Sequence, residues 1–288
     1  MPFIVITGVS TGIGRAAAAR FARAGWRVVG TVRTPGTSLG PGEALPGGMP
    51  TAGRAAAAPL PDEVTQEVLD LADPASVAAF ATQVLAVHGV PDVLVNNAGM
   101  LHFGSVEDTD PATMRHVFEV NVFNQIALID AFLPGMRERG SGLIVNVTSL
   151  GGRLTFPFFA VYNASKHALE GISEGLWHEL QPFGIRVKAV EPGYVATPIY
   201  AKAGVTLEGA AAASEPYRRF EAAMVAFEGT IKRRSTPEEA AEDLWRAIND
   251  PSDRLRYPAA AYASTLLRAR RWLGEMRVMR LMHRRWMS

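Results

Sequence analysis

The chain has 288 residues, 48% of them hydrophobic and 20% charged, with a formal net charge of +1. That composition suits one large α/β domain with a full core, not a disordered chain, and the near-neutral balance predicts no nucleic-acid partner. The absence of cysteine excludes disulfides, thiolate metal sites and cysteine nucleophiles.

Residues 3–6 read as a short, β-branched, buried parallel strand that runs straight into a glycine turn, too short for a signal peptide. No uninterrupted apolar run approaches the roughly 20 residues that span a bilayer, so a cytoplasmic protein is expected. Residues 13–24 predict a helix stopped by Gly25, and residues 27–32 a second strand, completing a βαβ unit. Residues 34–61, rich in Pro, Gly and Ala without helical periodicity, read as a surface excursion. Strands follow at 64–69, 92–95, 142–147 and 185–190, alternating with helices at 74–87, 111–133 and 161–180. Beyond Pro192, residues 197–227 and 237–249 read as helices and 254–257 as a last strand. This alternation predicts a Rossmann-type doubly wound parallel sheet flanked by helices, with a C-terminal helical extension. Residues 1–260 are expected to form a single dinucleotide-binding and catalytic domain, and 261–288 a basic amphipathic arm.

Between the first strand and first helix lies Thr7-Gly8-Val9-Ser10-Thr11-Gly12-Ile13-Gly14. Glycines there let the backbone approach a pyrophosphate, whose charge a helix N-terminus favours. A site that prefers NAD places a carboxylate about 20 residues further on to accept the ribose 2′-hydroxyl. Residues 15–42 hold no Asp or Glu, whereas Arg33 follows the second strand, where a guanidinium suits a 2′-phosphate. NADP(H) is therefore favoured as cofactor, with NAD(H) left open.

Tyr162 and Lys166, four residues apart on a predicted helix, share one face. An ammonium near a phenol is expected to lower the phenol's pKa and so ease proton exchange. The glycine turn, Asn96-Asn97-Ala98-Gly99, Ser149, Tyr162-Asn163-Ala164-Ser165-Lys166 and Pro192-Gly193 follow one another along the chain. In that order they resemble the short-chain dehydrogenase/reductase family over about residues 3–200.

The resemblance implies an NAD(P)-dependent enzyme that interconverts a carbonyl and an alcohol, with the nicotinamide supplying hydride. It assigns Asn121, Ser149, Tyr162 and Lys166 as the catalytic set. Tyr162 would be the proton donor and acceptor, Ser149 a partner of the substrate oxygen, and Lys166 a holder of the nicotinamide ribose. The implied cofactor residues are Gly8, Ser10, Thr11, Gly12, Ile13, Gly14, Arg33, Asp70, Leu71, Asn97, Ala98, Gly99, Tyr162, Lys166, Pro192, Gly193, Val195 and Thr197.

Phe156, Phe159 and Tyr194 are expected at the substrate together with Ser149 and Tyr162, near Leu101, Phe103, Ile199 and Tyr200. Residues 154–166 and 190–193 resemble the hydroxysteroid and retinol dehydrogenase branch, which implies a small lipophilic alcohol or ketone. No histidine pair has metal-ligand spacing, so no metal is expected. Residues 264–288 carry seven arginines and one glutamate. Taken as one helix, they put Trp272, Met276, Met279 and Trp286 on a single stripe opposite Arg270, Arg277, Arg280 and Arg284. Packing over the cleft or a second subunit, peripheral membrane contact and a solvated tail all remain open for this arm. The resemblance further implies a homodimer or homotetramer. An epimerase or dehydratase on the same fold, or a non-catalytic NADP(H)-binding sensor, is the alternative function.

Overall fold

The short β-branched runs form strands β1 (Phe3–Ile6), β2 (Arg27–Val32), β3 (Val64–Val68), β4 (Val93–Asn96), β5 (Gly142–Val147), β6 (Ile185–Pro192) and β7 (Arg256–Ala259). In the computed structural model, which describes residues 1–34, 60–200 and 215–287, they make one parallel sheet ordered β3-β2-β1-β4-β5-β6-β7. Most of the predicted excursion at 34–61 lies outside the described residues. Strand order reverses between β1 and β4, and in an open α/β sheet the crevice beyond that switch point receives the ligand.

Side-chain alternation along the strands splits the core in two. Ile4 and Ile6 face one side, where Phe21 of α1 (Gly12–Arg23) and Leu244 of α7 (Pro237–Asn249) cover them. Phe3 and Val5 face the other, under Phe80 of α2 (Pro74–Val87) and Phe132 of α4 (Asn124–Arg139). Each fully buried large side chain there contributes about 1.5–3 kcal/mol. Thr236 starts α7 with a capping box, its hydroxyl accepting from Glu239 N while Glu239 accepts from Thr236 N.

Three expectations need correction. The helix predicted at 111–133 is α3 (Pro111–Phe118), a π-helical turn (Glu119–Phe123) and α4. By length and composition Pro111–Arg139 is apolar enough to cross a membrane, yet Leu128, Ile129, Phe132 and Met136 are buried in the core. The helix predicted at 197–227 does not begin at Thr197; among the described residues it is α6 (Glu215–Thr230). The C-terminal arm is two helices, α8 (Ala263–Leu273) and α9 (Glu275–Trp286), because Gly274 takes φ +81 and ψ 153 and ends the first. The break resets the helical phase, so the single stripe does not form. Trp286 is 8% exposed and Trp272 82%.

Candidate active site

The glycine turn is held by side chains from the ends of the neighbouring strands. Thr7 Oγ1 accepts from Asn97 N and Ala98 N, both at 2.9 Å, and Asn97 Nδ2 donates to Thr7 O at 2.8 Å. Gly8 N donates to Thr31 Oγ1 at 3.0 Å. Gly8 and Gly12 have φ of +74 and +61, left-handed values that favour glycine. A Cβ on Gly14 would collide with Gly8 O and Asn97 Nδ2. Thr11, the N-cap of α1, makes no side-chain cap bond, and the first turn has no acidic residue. Ser10, Thr11, Gly12 and Ile13 are half-buried along this turn. The cradle therefore fits a nicotinamide dinucleotide's pyrophosphate, its glycines admitting the phosphates to the backbone and helix terminus.

The remaining cofactor candidates border the same crevice. Arg33 and Asp70 lie just beyond the last paired residues of β2 and β3, Val32 and Val68. Asp70 Oδ1 accepts from Ala72 N at 2.9 Å, and Leu71 O accepts from Asn124 Nδ2 at 2.9 Å. Arg33 is exposed. Ala98 O accepts from Gln125 Nε2 at 2.9 Å. A Cβ on Gly99 would lie 3.0 Å from Asn121 Oδ1 and 3.6 Å from Lys166 Nζ, so this turn joins the cofactor crevice to the catalytic candidates. Beyond Pro192, a Cβ on Gly193 would strike Ala261 O, and Val195 is buried in a bridge to Ser235. Thr197 Cγ2 would lie 3.1 Å from a Cβ on Gly12, closing the crevice on that side.

Helix α5 (Ala160–Leu180) carries Tyr162 and Lys166 one turn apart. Tyr162 and Ser149 meet beside Gly151, where a Cβ would lie 3.2 Å from Tyr162 Cε1 and 3.3 Å from Ser149 Oγ, and that Oγ accepts from Gly151 N at 2.9 Å. Burial raises the Tyr162 pKa, and the nearby Ser149 hydroxyl acts to lower it. This corrects the expectation that the lysine lowers it. Lys166 Nζ instead donates to Val147 O at 3.0 Å, and desolvation outweighs the pull from Ser149. Burial also brings Lys166 down to about 8, opposed by the attraction of Glu170.

Asn121 sits in the π-helical turn, closed by Asn124 N donating to Glu119 O. Such turns recur at functional sites. Its Oδ1 accepts from Met100 N at 2.9 Å, while Nδ2 donates to Met100 O at 2.9 Å and Ser165 Oγ at 3.0 Å. Ser165 Oγ in turn donates to Tyr162 O at 2.7 Å. Asn121 thus ties the loop after β4 to the start of α5. Ser165, inside the Tyr-Lys motif, was missed as this link.

The substrate candidates Phe156, Phe159 and Tyr194 gather in an aromatic cluster with Leu101, Phe103, Ile199, Tyr200 and part of Tyr162. Phe103 meets Phe159 edge-on with centroids 4.4 Å apart. Phe158 adopts φ +63, a backbone strain stored beside the site. The cluster also holds Phe220, Met224 and Phe227 of α6 and Trp286 of α9, none of them identified as site residues from sequence. Trp286 stacks on Phe156 at 5.3 Å and meets Phe227 edge-on at 4.8 Å. The arm therefore packs over this cluster, as one of its three readings expected. His102 is buried, bonded to Thr109 Oγ1 at 3.0 Å, with its pKa lowered by burial and raised by Asp110. Among the described residues no cluster suits a metal ion.

A parallel doubly wound sheet, a glycine turn at its switch point and a Ser-Tyr-Lys group beside it are the parts of a nicotinamide-dependent oxidoreductase. The family model for short chain dehydrogenase matches residues 2–207, and the chain belongs to the short-chain dehydrogenase/reductase family. It is an NAD(P)-dependent enzyme acting on CH–OH and C=O groups. The chain is similar to 17-beta-hydroxysteroid dehydrogenase type 1 of Homo sapiens, 34% identical over 273 residues, 93% of this chain and 80% of that protein. Among solved structures, a short-chain dehydrogenase from Streptomyces avermitilis shares 34% identity with a TM-score of 0.73, covering 99% of this chain and 95% of that one. Another from Sphingobium yanoikuyae, in complex with NADPH, shares 26% identity with a TM-score of 0.71, covering 98% and 95%.

Proposed function

We propose that the enzyme uses NADPH to reduce the carbonyl of a lipophilic ketone or aldehyde, and catalyses the reverse oxidation, with Tyr162 as general acid and base. The observation that carries this reading is the meeting of Tyr162 and Ser149 beside Gly151, with Lys166 one turn away and an aromatic cluster around them. A nicotinamide dinucleotide whose pyrophosphate rested on the glycine turn would supply the hydride chemistry. Ser149 and Tyr162 donate to the substrate oxygen and stabilise the charge that develops there. Burial keeps the phenol protonated, which suits donation in the reductive direction. Lys166 remains cationic below about pH 8, one turn along the same helix.

The preference for NADPH rests on exposed Arg33 at the end of β2, on the lack of Asp or Glu in residues 15–42, and on the NADPH-bound relative. The lipophilic substrate rests on the aromatic cluster and on the similarity to a hydroxysteroid dehydrogenase. A homodimer or homotetramer working in the cytoplasm completes the proposal. On the exposed face of α5, Gly171 has open space where a Cβ would stand, which suits close approach of a second helix.

The test is oxidation of NADPH and NADH against a panel of lipophilic ketones and aldehydes, with wild type and Tyr162→Phe side by side. NADPH turnover should fall by about 10²–10⁴ in the variant while NADPH binding persists. Undiminished turnover in Tyr162→Phe rejects the proposed acid. Binding without turnover in the wild type favours the sensor, and turnover without net cofactor consumption the epimerase.

A further inference from the structure

The outward face of the C-terminal arm carries charge that the rest of the fold leaves unanswered. Elsewhere several arginines meet carboxylates, such as Arg20 with Glu242 at 2.9 Å, Arg139 with Asp92 at 3.1 Å and Arg153 with Glu191 at 2.8 Å. On the arm Arg270 does so, with Glu275 at 2.8 Å. Arg271, Arg277, Arg280, Arg284 and Arg285 are all exposed and form no ion pair among the described residues. Residues 264–288 hold seven arginines against one glutamate, while the remaining chain has 22 basic and 27 acidic residues.

Apolar side chains stand bare beside these arginines. Trp272 is 82% exposed and Met276 57%, and Leu273 and Met279 are exposed as well. All four flank Gly274, the elbow between α8 and α9, where a Cβ would meet nothing. The elbow is nonetheless part of a folded element and not a loose tail. Val278 and Trp286 on the opposite face of α9 are buried, the first against Leu150 and Leu154 and the second against Phe156. One face of α9 is thus the anchor, and the other is cationic and apolar together.

We propose that the α8–α9 elbow docks the protein on the surface of an anionic phospholipid bilayer. Trp272, Leu273, Met276 and Met279 enter the interfacial region, and the unpaired arginines meet the headgroup anions. A bilayer satisfies both halves of this surface at once. A nucleic acid pairs with the arginines but offers no apolar phase for Trp272 and Met276, and an acidic protein does so only where it carries an apolar groove. A second copy related by a two-fold axis sets the arm's arginines against their own kind. Tryptophan, with an apolar body and a polar N–H, is suited to the headgroup boundary. Docking in this way turns the side of α9 that covers the aromatic cluster away from the lipid and holds that cluster close to it. The proposal does not depend on which carbonyl the enzyme reduces.

The test is flotation of the full chain with vesicles of phosphatidylcholine alone or with roughly one-third phosphatidylserine, at low and high salt. The wild type is expected to float with the anionic vesicles at low salt and to be released by high salt. Changing Arg271, Arg277, Arg280 and Arg284 together to glutamine should weaken partitioning by about 10³-fold. Trp272→Ser with Met276→Ser should weaken it by about tenfold or more. All six side chains are exposed, so unfolding midpoint and NADPH turnover should be unchanged, which separates a failure to dock from a failure of the enzyme. Vesicle-induced blue shift of tryptophan emission, lost in Trp272→Phe, gives an independent reading. Wild type left in solution with both vesicle types overturns the proposal. So does binding that survives both sets of substitutions, or binding that depends on the arginines alone and is matched by heparin, which assigns the surface to an acidic macromolecule.

Discussion

Replacing Lys166 by methionine separates what the ammonium does for chemistry from what it does to the fold. Lys166 is 4% exposed, and burial brings its pKa from 10.5 to about 8 against the raising influence of Glu170. Below pH 8 the folded and unfolded chains both hold the proton, and the folded one carries the full desolvation cost. At 1.36 kcal/mol per pH unit this cost is about 3 kcal/mol. Between about 8 and 10.5 the unfolded chain binds more protons than the folded one, so wild-type stability rises with pH through that window. The bond from Lys166 Nζ to Val147 O, at 3.0 Å, offsets part of the cost. Its loss leaves a carbonyl unpaired, about 1–3 kcal/mol, at every pH. Methionine fills a similar volume without charge. The stability of Lys166→Met relative to wild type should therefore decline by about 2 kcal/mol between roughly pH 7 and 9.5. In thermal unfolding this is a relative change of about 3–4 °C. Turnover should fall by on the order of 10² or more in the same variant. A stability difference that stays flat across this range refutes the assignment of a desolvated ammonium.

Gly14→Ala should weaken NADPH binding, read by fluorescence titration, by about tenfold or more and lower stability by about 1–3 kcal/mol, because the new methyl collides with Gly8 O and Asn97 Nδ2. Asn121→Ala should cost about 1–3 kcal/mol for each group it orphans, visible in the unfolding midpoint and in faster exchange of the Met100 amide. Glu191 is pushed up to about 7 by burial and by Glu170, with Arg153 pulling the other way. Its folded pKa lies above its unfolded value, so its contribution is present at low pH and lost as pH rises through about 7. Glu191→Gln should accordingly gain on wild type by roughly 2–3 kcal/mol between about pH 5 and 8 in denaturant unfolding. A gap that does not widen with pH counts against it.

The sheet was legible because each strand is a short β-branched run closed by a turn, and β2, β5 and α2 fall on the predicted boundaries. Ser149, Tyr162 and Lys166 were legible for a related reason. Their spacing along the chain maps directly onto one strand end and one helix turn. The π-helical turn at Asn121 was not, since a bond from Asn124 N to Glu119 O in place of the usual helical one has no compositional mark. The direction of the Tyr162 pKa shift was not legible because spacing reports that a lysine is near but not how far water is excluded. Lys188 shows the same limit: a fully buried cation donating to Ala247 O at 2.8 Å, on a strand that reads as ordinary.

The cover of the aromatic cluster was the least legible part, and the cause is geometric. Phe156 meets Trp286 across 130 residues of sequence, and a contact at that range is set by tertiary packing and not by local pattern. A helical wheel drawn through Gly274 carries the phase of α8 into α9, which groups Trp286 with Trp272 and assigns both to one surface. Once the phase restarts at Glu275, residues 278, 282 and 286 fall on one face and pack inward, while Met276, Arg277, Arg280 and Arg284 turn out. The same glycine thus makes the arm both a cover for the Tyr162 side of the cleft and a separate outward surface. These two roles can be removed independently, the first through Trp286 and the second through Trp272.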